Sequence, residues 1–353
     1  MSPFRVVAHS CFRLIQKQYK GMNKLFIGID FSKKKVDVSV IKKENMSSGV
    51  HREFSNDVAG HESLLAWLCE SYPQTGKDQM LFCGENTGLY SVCLSNTLAH
   101  EGYTLWLEHP YRIKHSSGMQ RGKNDKLDSL LIAQYACRFE DMAKVYTPNT
   151  ETIRALHSFF TFRDLLVKMK NEALVHAKEL HSVLKGNHAT DYIYQHSLTQ
   201  VDNLNREIKD VEKEIMDLIN SEEEIKNNYE RITSIKGVAF VNALALIVYT
   251  ENFTCFDDPR KLACYAGVVP FQRTSGSSVK SNAKTSGFAN KKLNTLLTQA
   301  ARTAAIHDPI LREYYRRKRE EGKHHNLVIN NIRNKLIHRI CALVRNQTFD
   351  QTA

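Results

Sequence analysis

The chain has 353 residues, of which 42% are apolar and 25% charged. These are globular proportions that exclude global disorder and leave room for two or three domains with real cores. Lys and Arg number 49 against 38 Asp and Glu, a net charge of +11. That balance favours a polyanionic partner, nucleic acid ahead of a membrane surface, because the basic residues are interspersed with core-forming runs.

No apolar run reaches the roughly 18 to 20 residues that cross a bilayer. The eight cysteines form no CxxC and read as buried small hydrophobes in a reducing compartment, not as a zinc or disulfide framework. Residues 1–21 are basic and mildly amphipathic without a cleavable apolar region. They read as a translated upstream extension or a loosely held arm, with folding restarting at Met22.

LFIGID, Leu25 to Asp30, is a short apolar strand ending in an acid. FSKKK turns the chain, and VDVSV, Val36 to Val40, alternates as the second strand of a hairpin. Gly28 inside the first strand points to a close backbone approach or tight packing, and Asp30 sits at a strand's carboxyl end, where ligand sites collect in α/β sheets. His61 to Glu70 reads as a helix and Met80 to Cys83 as the next strand, followed by GENTG. There Glu85 lies between Gly84 and Gly88, a setting that lets backbone and ligand approach closely. Tyr90 to His100 is a helix and Tyr103 to Leu107 a strand, so alternation argues one α/β domain through about residue 145.

RGKNDKLDSLLIAQYA, Arg121 to Ala136, then opens a helix whose first turn holds Asp125 and Asp128 on one face. Two carboxylates so close repel unless a cation lies between them or solvent screens them. The basic residues nearby, Arg112, Lys114, Arg121 and Lys123, fit either phosphate contacts or a solvated loop. Taken together, Asp30, Glu85, Asp125 and Asp128 form an all-oxygen set of the kind that Mg²⁺ or Mn²⁺ prefers.

From Thr152 to Gly186 the pattern is helical, NHATDYIYQHS reads as a polar break, and a second long helix follows. In it Val201, Leu204, Ile208, Val211, Ile215, Leu218 and Ile225 keep the three-four spacing of a heptad seam. This is an antiparallel hairpin, a dimerising coiled coil or a plain two-helix spacer. Gly237 in ITSIKGVAFVNALALIVY resembles the turn of a helix-hairpin-helix, whose amides can hold a phosphate. Phe271 to Asn290 has the composition of a flexible loop and carries Arg273, Ser275, Ser277, Ser278, Lys280 and Lys284. Helices follow, one of them beginning at Asp308-Pro309 and running into the basic, tyrosine-bearing stretch REYYRRKREEGKHH.

GIDFSKKKVDV, GENTG and HPYRIKHSSGMQRGKNDKLDSLLIAQYA resemble, in order and spacing, the N-terminal RuvC-like domain of the IS110-family transposases, the DEDD transposases. ITSIKGV, LACYAGVVPFQRTSG and GFANKKLNTLLTQAA resemble that family's C-terminal domain, so the likeness runs from Met22 to about Val344. It implies an RNase H-like (RuvC-like) α/β domain at 22–145, a helical coiled-coil spacer at 146–228, a mostly helical C-terminal domain with a serine loop at 229–345, and a tail at 346–353.

The resemblance further implies that Asp30, Glu85, Asp125 and Asp128 are catalytic acids holding Mg²⁺, with Mn²⁺ an alternative. Ser275 would be a nucleophile forming a phosphoserine link to DNA, chosen over Ser277 and Ser278 by the family match alone. Arg273, Lys280 and Lys284 join the basic residues as nucleic-acid contacts. The implied partners are element-end and target DNA, a structured noncoding guide RNA and further copies of the chain in a dimer or tetramer, within the bacterial cytoplasm and at the nucleoid. A RuvC-like nuclease using water, or a nonenzymatic nucleic-acid-binding protein, are the competing readings.

Overall fold

The computed structural model describes residues 25–86, 88–116, 124–184, 186–256, 258–271, 274–275, 279–280, 284–285 and 287–350, and for residues 274, 275, 279, 280 and 284 the backbone only. The chain divides into two compact units, residues 1–148 and 149–353.

The first unit is built on one five-stranded sheet. Its strands are Leu25–Phe31 (β1), Lys35–Lys42 (β2), Asn45–Ser55 (β3), Met80–Glu85 (β4) and Thr104–Glu108 (β5), in the order β3-β2-β1-β4-β5. β2 runs antiparallel to both β1 and β3, and β4 and β5 extend the sheet in parallel from β1. The sequence reading lacks β3. NMSSGVHREFS is exposed along most of its length and buries only Phe54, so it carries no alternating apolar signal. Its polar character suits an edge strand.

Helices Val58–Ser71 (α1), Leu89–His100 (α2), Pro110–His115 (α3) and Asp125–Arg138 (α4) complete the unit. Side chains alternate across a strand. Leu25, Ile27, Ile29 and Phe31 therefore join the core under α1 and α2, with Leu64, Leu68, Leu94 and Leu98. Phe26 on the opposite face packs with Leu81, Cys83, Trp106 and the Leu131, Ile132 and Tyr135 side of α4.

Gly28 is where α4 comes closest. A Cβ there would lie 2.1 Å from the Ser129 carbonyl oxygen and 2.3 Å from the Ala133 nitrogen. A buried hydrogen bond between the Ser39 and Ser129 hydroxyls, 2.8 Å, ties the same turn of α4 to β2. Gln134 Nε2 donates to the Met46 carbonyl at 2.9 Å and ties the helix to β3.

The second unit is helical, with Glu151–Val183 (α5), His188–Ser221 (α6), Glu223–Thr233 (α7), Phe240–Tyr249 (α8), Pro259–Tyr265 (α9), Lys291–His307 (α10), Pro309–Glu320 (α11) and His325–Asn346 (α12). The polar break expected at NHATDYIYQHS shrinks to a short link. Asn187 caps α6 by accepting from Ala189 N at 2.9 Å, and the following residues are helical. Polar, tyrosine-rich composition hid a helix that a cap begins. Val201, Ile208, Val211 and Ile215 of the heptad seam are buried. Arg163 of α5 pairs with Glu212 of α6, and His181 with Asp191, which places the two helices antiparallel within one chain. Leu156, Phe160 and Leu166 of that hairpin share one core with α8, α10 and α12.

Gly237 has φ 97°, and a Cβ there would stand 2.6 Å from Ala304 N of α10. Close helix packing thus accounts for this glycine. Glu251, Asn252 and Phe253 form a left-handed turn of three non-glycine residues, which no local sequence signal foretells. Within it, Thr250 Oγ1 accepts from Phe253 N at 2.9 Å and Asn252 Oδ1 accepts from Asn228 Nδ2 at 2.9 Å.

Instead of a plain loop, the segment after Gly267 contains two short ladders. Pro270–Phe271 (β6) pairs with Lys284–Thr285 (β9), and Thr274–Ser275 (β7) pairs with Val279–Lys280 (β8). The cysteines also depart from expectation. Cys83 and Cys137 are buried, but Cys69, Cys93 and Cys255 are exposed, and the described cysteines are all free. Among the described residues no helix is long and apolar enough to cross a membrane.

Asp308, fully buried, caps α11 through Leu311 N at 2.9 Å and pairs with Arg339 at 2.7 Å, while Arg339 also holds Asp350. Arg339→Met should cost this unit about 2–3 kcal/mol, because it strands a buried carboxylate. Urea denaturation followed by circular dichroism measures this, and a change under about 0.5 kcal/mol would contradict the assignment.

Candidate active site

The β-pleat puts one acid of each strand at the same level on the α4 side of the sheet. Asp30 of β1 pairs in register with Asp37 of β2, and Asp37 with Glu53 of β3. On the other flank Ile29 pairs with Gly84, which sets Glu85 of β4 beside Asp30, and Glu85 pairs with Glu108 of β5. Five carboxylates thus cross the sheet in a row, and Asp125 and Asp128 enter from the first turn of α4. Asn124 begins that helix by accepting from Lys126 N at 3.1 Å.

The outer acids have protein partners. Asp37, only 3% exposed, lies 2.9 Å from His51 Nε2 and 3.1 Å from Lys35 Nζ. Glu53 lies 2.9 Å from the same ammonium. Glu108 accepts from His109 N at 2.7 Å and from the Tyr135 hydroxyl at 3.3 Å, and Arg112 lies 3.4 Å from it. Burial and Glu108 push the Tyr135 hydroxyl up to about 12, so it donates at neutral pH.

The centre is different. Asp30, Asp125 and Asp128 each offer an oxygen within 4.8 Å of the others. Among the described residues no cationic side chain forms an ion pair with Asp30 or Asp128. Burial, followed by the charges of Asp128, Glu85, Asp125 and Asp37, pushes the Asp30 carboxyl up to about 6. Hard, converging, mutually repelling oxygens are the donor set that suits Mg²⁺ or Mn²⁺.

The structure therefore brings together three of the four expected acids as a compact cluster. Glu85 stands on the adjacent strand, close enough for its charge to act on Asp30 but outside that cluster. Arg112 is on α3, where Glu108 engages it, and Lys114 lies on the same short helix. Arg121, Lys123 and Arg273 lie outside the described residues. Ser275, Lys280 and Lys284 have their backbones in the short ladders of the second unit, and their side chains are outside the described part.

Sequence reasoning missed Lys35, which it placed in a turn, and the acids Asp37, Glu53 and Glu108. The period-two spacing of Lys35, Asp37 and Ser39 was the available signal. The missing strand β3 concealed the partners.

A five-stranded sheet in this order, with acids at the ends of its parallel centre and on the final helix, defines a RuvC-like α/β domain joined to a helical C-terminal region. A model of the IS110-type DEDD transposases matches residues 27–188, and one described as "Transposase IS116/IS110/IS902 family" matches residues 229–316. The "Pilin gene-inverting protein" of Moraxella bovis is 24% identical over 341 residues, covering 94% of this chain and 99% of that protein. Its namesake in Moraxella lacunata matches to the same extent. The "Insertion element IS110 uncharacterized 43.6 kDa protein" of Streptomyces coelicolor is 31% identical over 118 residues, 33% of this chain and 29% of that one. The chain belongs to the IS110 family of transposases, enzymes that recombine DNA.

Proposed function

We propose that this chain cuts and rejoins the DNA of an insertion element through a phosphoserine link at Ser275, with Asp30, Glu85, Asp125 and Asp128 holding Mg²⁺, or Mn²⁺ in its place. The observation that carries the reading is the convergence of Asp30, Asp125 and Asp128 in the unit matched by the DEDD transposase model. A divalent ion bound there would neutralise charge developing on the phosphate.

The chain's own residues supply the rest. Asp30 and Glu85 are fixed on strands, so their oxygens are placed before any ligand arrives. Asp125 and Asp128 are fixed through α4, which Gly28 and the Ser39–Ser129 hydrogen bond hold against the sheet. A serine hydroxyl is a weak nucleophile and needs activation. When the Ser275 oxygen attacks phosphorus, one phosphate ester replaces another and the leaving deoxyribose oxygen takes up a proton. A second DNA hydroxyl reverses the exchange, so rejoining requires no external energy source. The relatives named for pilin gene inversion support DNA rearrangement by strand exchange as the reaction class.

A structured guide RNA, itself a polyanion, fits the net charge of +11. Base pairing would then select donor and target. Strand exchange needs more than one active site, so the working form is a dimer or tetramer, acting in the bacterial cytoplasm at the nucleoid. Val201, Ile208, Val211 and Ile215 of the heptad seam are buried within the chain, so the seam does not by itself call for a second copy.

Covalent capture tests this reading. Protein, element-end DNA, RNA from the source cell and Mg²⁺ are mixed and denatured, and peptides are analysed by mass spectrometry. A nucleotide adduct on Ser275 that is absent in Ser275→Ala and in Asp125→Asn is expected. Cleaved DNA with free ends and no adduct would make the enzyme a hydrolytic RuvC-like nuclease instead.

A further inference from the structure

Lys35 stands at the edge of the acidic site and is shared between the sheet and α4. It opens β2 two residues before Asp37, and so faces α4 by the same alternation. Its ammonium lies 2.9 Å from Glu53 Oε2, 3.1 Å from Asp37 Oδ2 and 3.0 Å from Asp125 Oδ2. An ammonium has three donors, and these three carboxylates use them all.

The three acids are not equivalent. Asp37 is buried and held on its other oxygen by His51, and Glu53 is its register neighbour on β3. Asp125 belongs to the cluster with Asp30 and Asp128, and its side chain is 53% exposed. We propose that Lys35 is a positioning residue that competes with the divalent cation for Asp125, holding that carboxylate in the cation-free site and remaining on Asp37 and Glu53 when Asp125 is given up. This rests on the reading of Asp30, Asp125 and Asp128 as a cation site.

The proposal differs in sign from a purely structural role. If Lys35 only clipped α4 to the sheet, its removal would loosen Asp125 and weaken cation binding. A competitor's removal does the reverse, because one positive charge leaves the neighbourhood and no longer contends with the cation for Asp125. At this partly exposed site the gain is about three- to ten-fold in cation affinity. The lysine thus partly offsets the charge of Asp125 without a cation and makes cation loading weaker than the carboxylates alone would give.

The test is Mn²⁺ binding to the full chain without nucleic acid, followed by the paramagnetic resonance signal of free Mn²⁺. Lys35→Met should bind Mn²⁺ about three- to ten-fold more tightly than wild type, and Lys35→Arg should return to within about two-fold of wild type because it keeps the charge. Unchanged or weaker binding in Lys35→Met would overturn the proposal. If tryptophan fluorescence shows that the methionine variant does not fold, Lys35→Gln, neutral and still hydrogen-bonding, takes its place with the same expected direction. Asp128→Asn is measured in parallel. Wild-type Mn²⁺ binding that Asp128→Asn leaves unaltered would refute the cation site itself, whereas Asp128-dependent binding that is indifferent to Lys35 would refute only the competition.

Discussion

Gly28→Ala is expected to destabilise the N-terminal unit by at least about 4 kcal/mol and to abolish strand cleavage. The added methyl would lie 2.1 Å from the Ser129 carbonyl oxygen and 2.3 Å from the Ala133 nitrogen, both backbone atoms of α4. A flexible side chain could rotate away, but a helix backbone must move as a body. Moving α4 away from β1 opens the packing of Trp106 against Tyr135 and stretches the buried Ser39–Ser129 hydrogen bond. It also carries Asp125 and Asp128 away from Asp30, so even a variant that folds would have its acids out of place. A displacement near 1 Å is enough to cost about two orders of magnitude in rate.

The measurement is direct because the chain has two tryptophans. Both, Trp67 and Trp106, are in the N-terminal unit, so fluorescence during urea denaturation reports that unit while circular dichroism is dominated by the helices of the other. A variant within about 1 kcal/mol of wild type by fluorescence would show that α4 does not rest on Gly28 as described.

Gly28 also shows what the sequence made legible. Its place inside an apolar strand pointed to a close backbone approach, and the structure supplies the helix that approaches. Asp30 was legible as a strand-end acid, and Asp125 with Asp128 as neighbours on one helical face, since both follow from local periodicity. What brings them together is not local. The sheet order puts Glu85 beside Asp30 across a parallel pairing whose partners lie 55 residues apart in the chain. β3 escaped notice because an exposed edge strand has no reason to alternate, and with it went Glu53 and His51, which hold Lys35 and Asp37. The helix at His188 was hidden for a related reason, since its first turns are polar and only the Asn187 cap marks its start. For Ser275 the residues themselves offered three serines in a row of small polar side chains, and only the family resemblance chose among them.

Asp128→Asn should lower strand cleavage by about a thousand-fold or more while making the cation-free N-terminal unit more stable at neutral pH. The two effects have one cause. Burial is the largest reason that Asp30 ionises only near about 6, and the Asp128 charge is the next. A carboxyl whose value is raised on folding contributes stability that is fully present below its ordinary value of 3.8 and is lost as pH rises through about 6. Above that range the cation-free site therefore costs stability, on the order of 1–2 kcal/mol after allowing for solvent screening at the half-buried Asp30. Removing the Asp128 charge returns part of this and also removes a cation ligand. The same titration governs binding, because a cation must displace the Asp30 proton. Wild-type Mn²⁺ affinity should fall about ten-fold for each pH unit below about 6 and be flat above it. In Asp128→Asn the plateau affinity is lower and the break moves to lower pH. Mn²⁺ titrations from about pH 5 to about pH 7.5, with fluorescence-monitored melts at both ends, measure every part of this. Cleavage within ten-fold of wild type, or Mn²⁺ affinity that ignores pH across that interval, would mean that Asp30 and Asp128 do not share a cation, and the active site would have to be sought elsewhere.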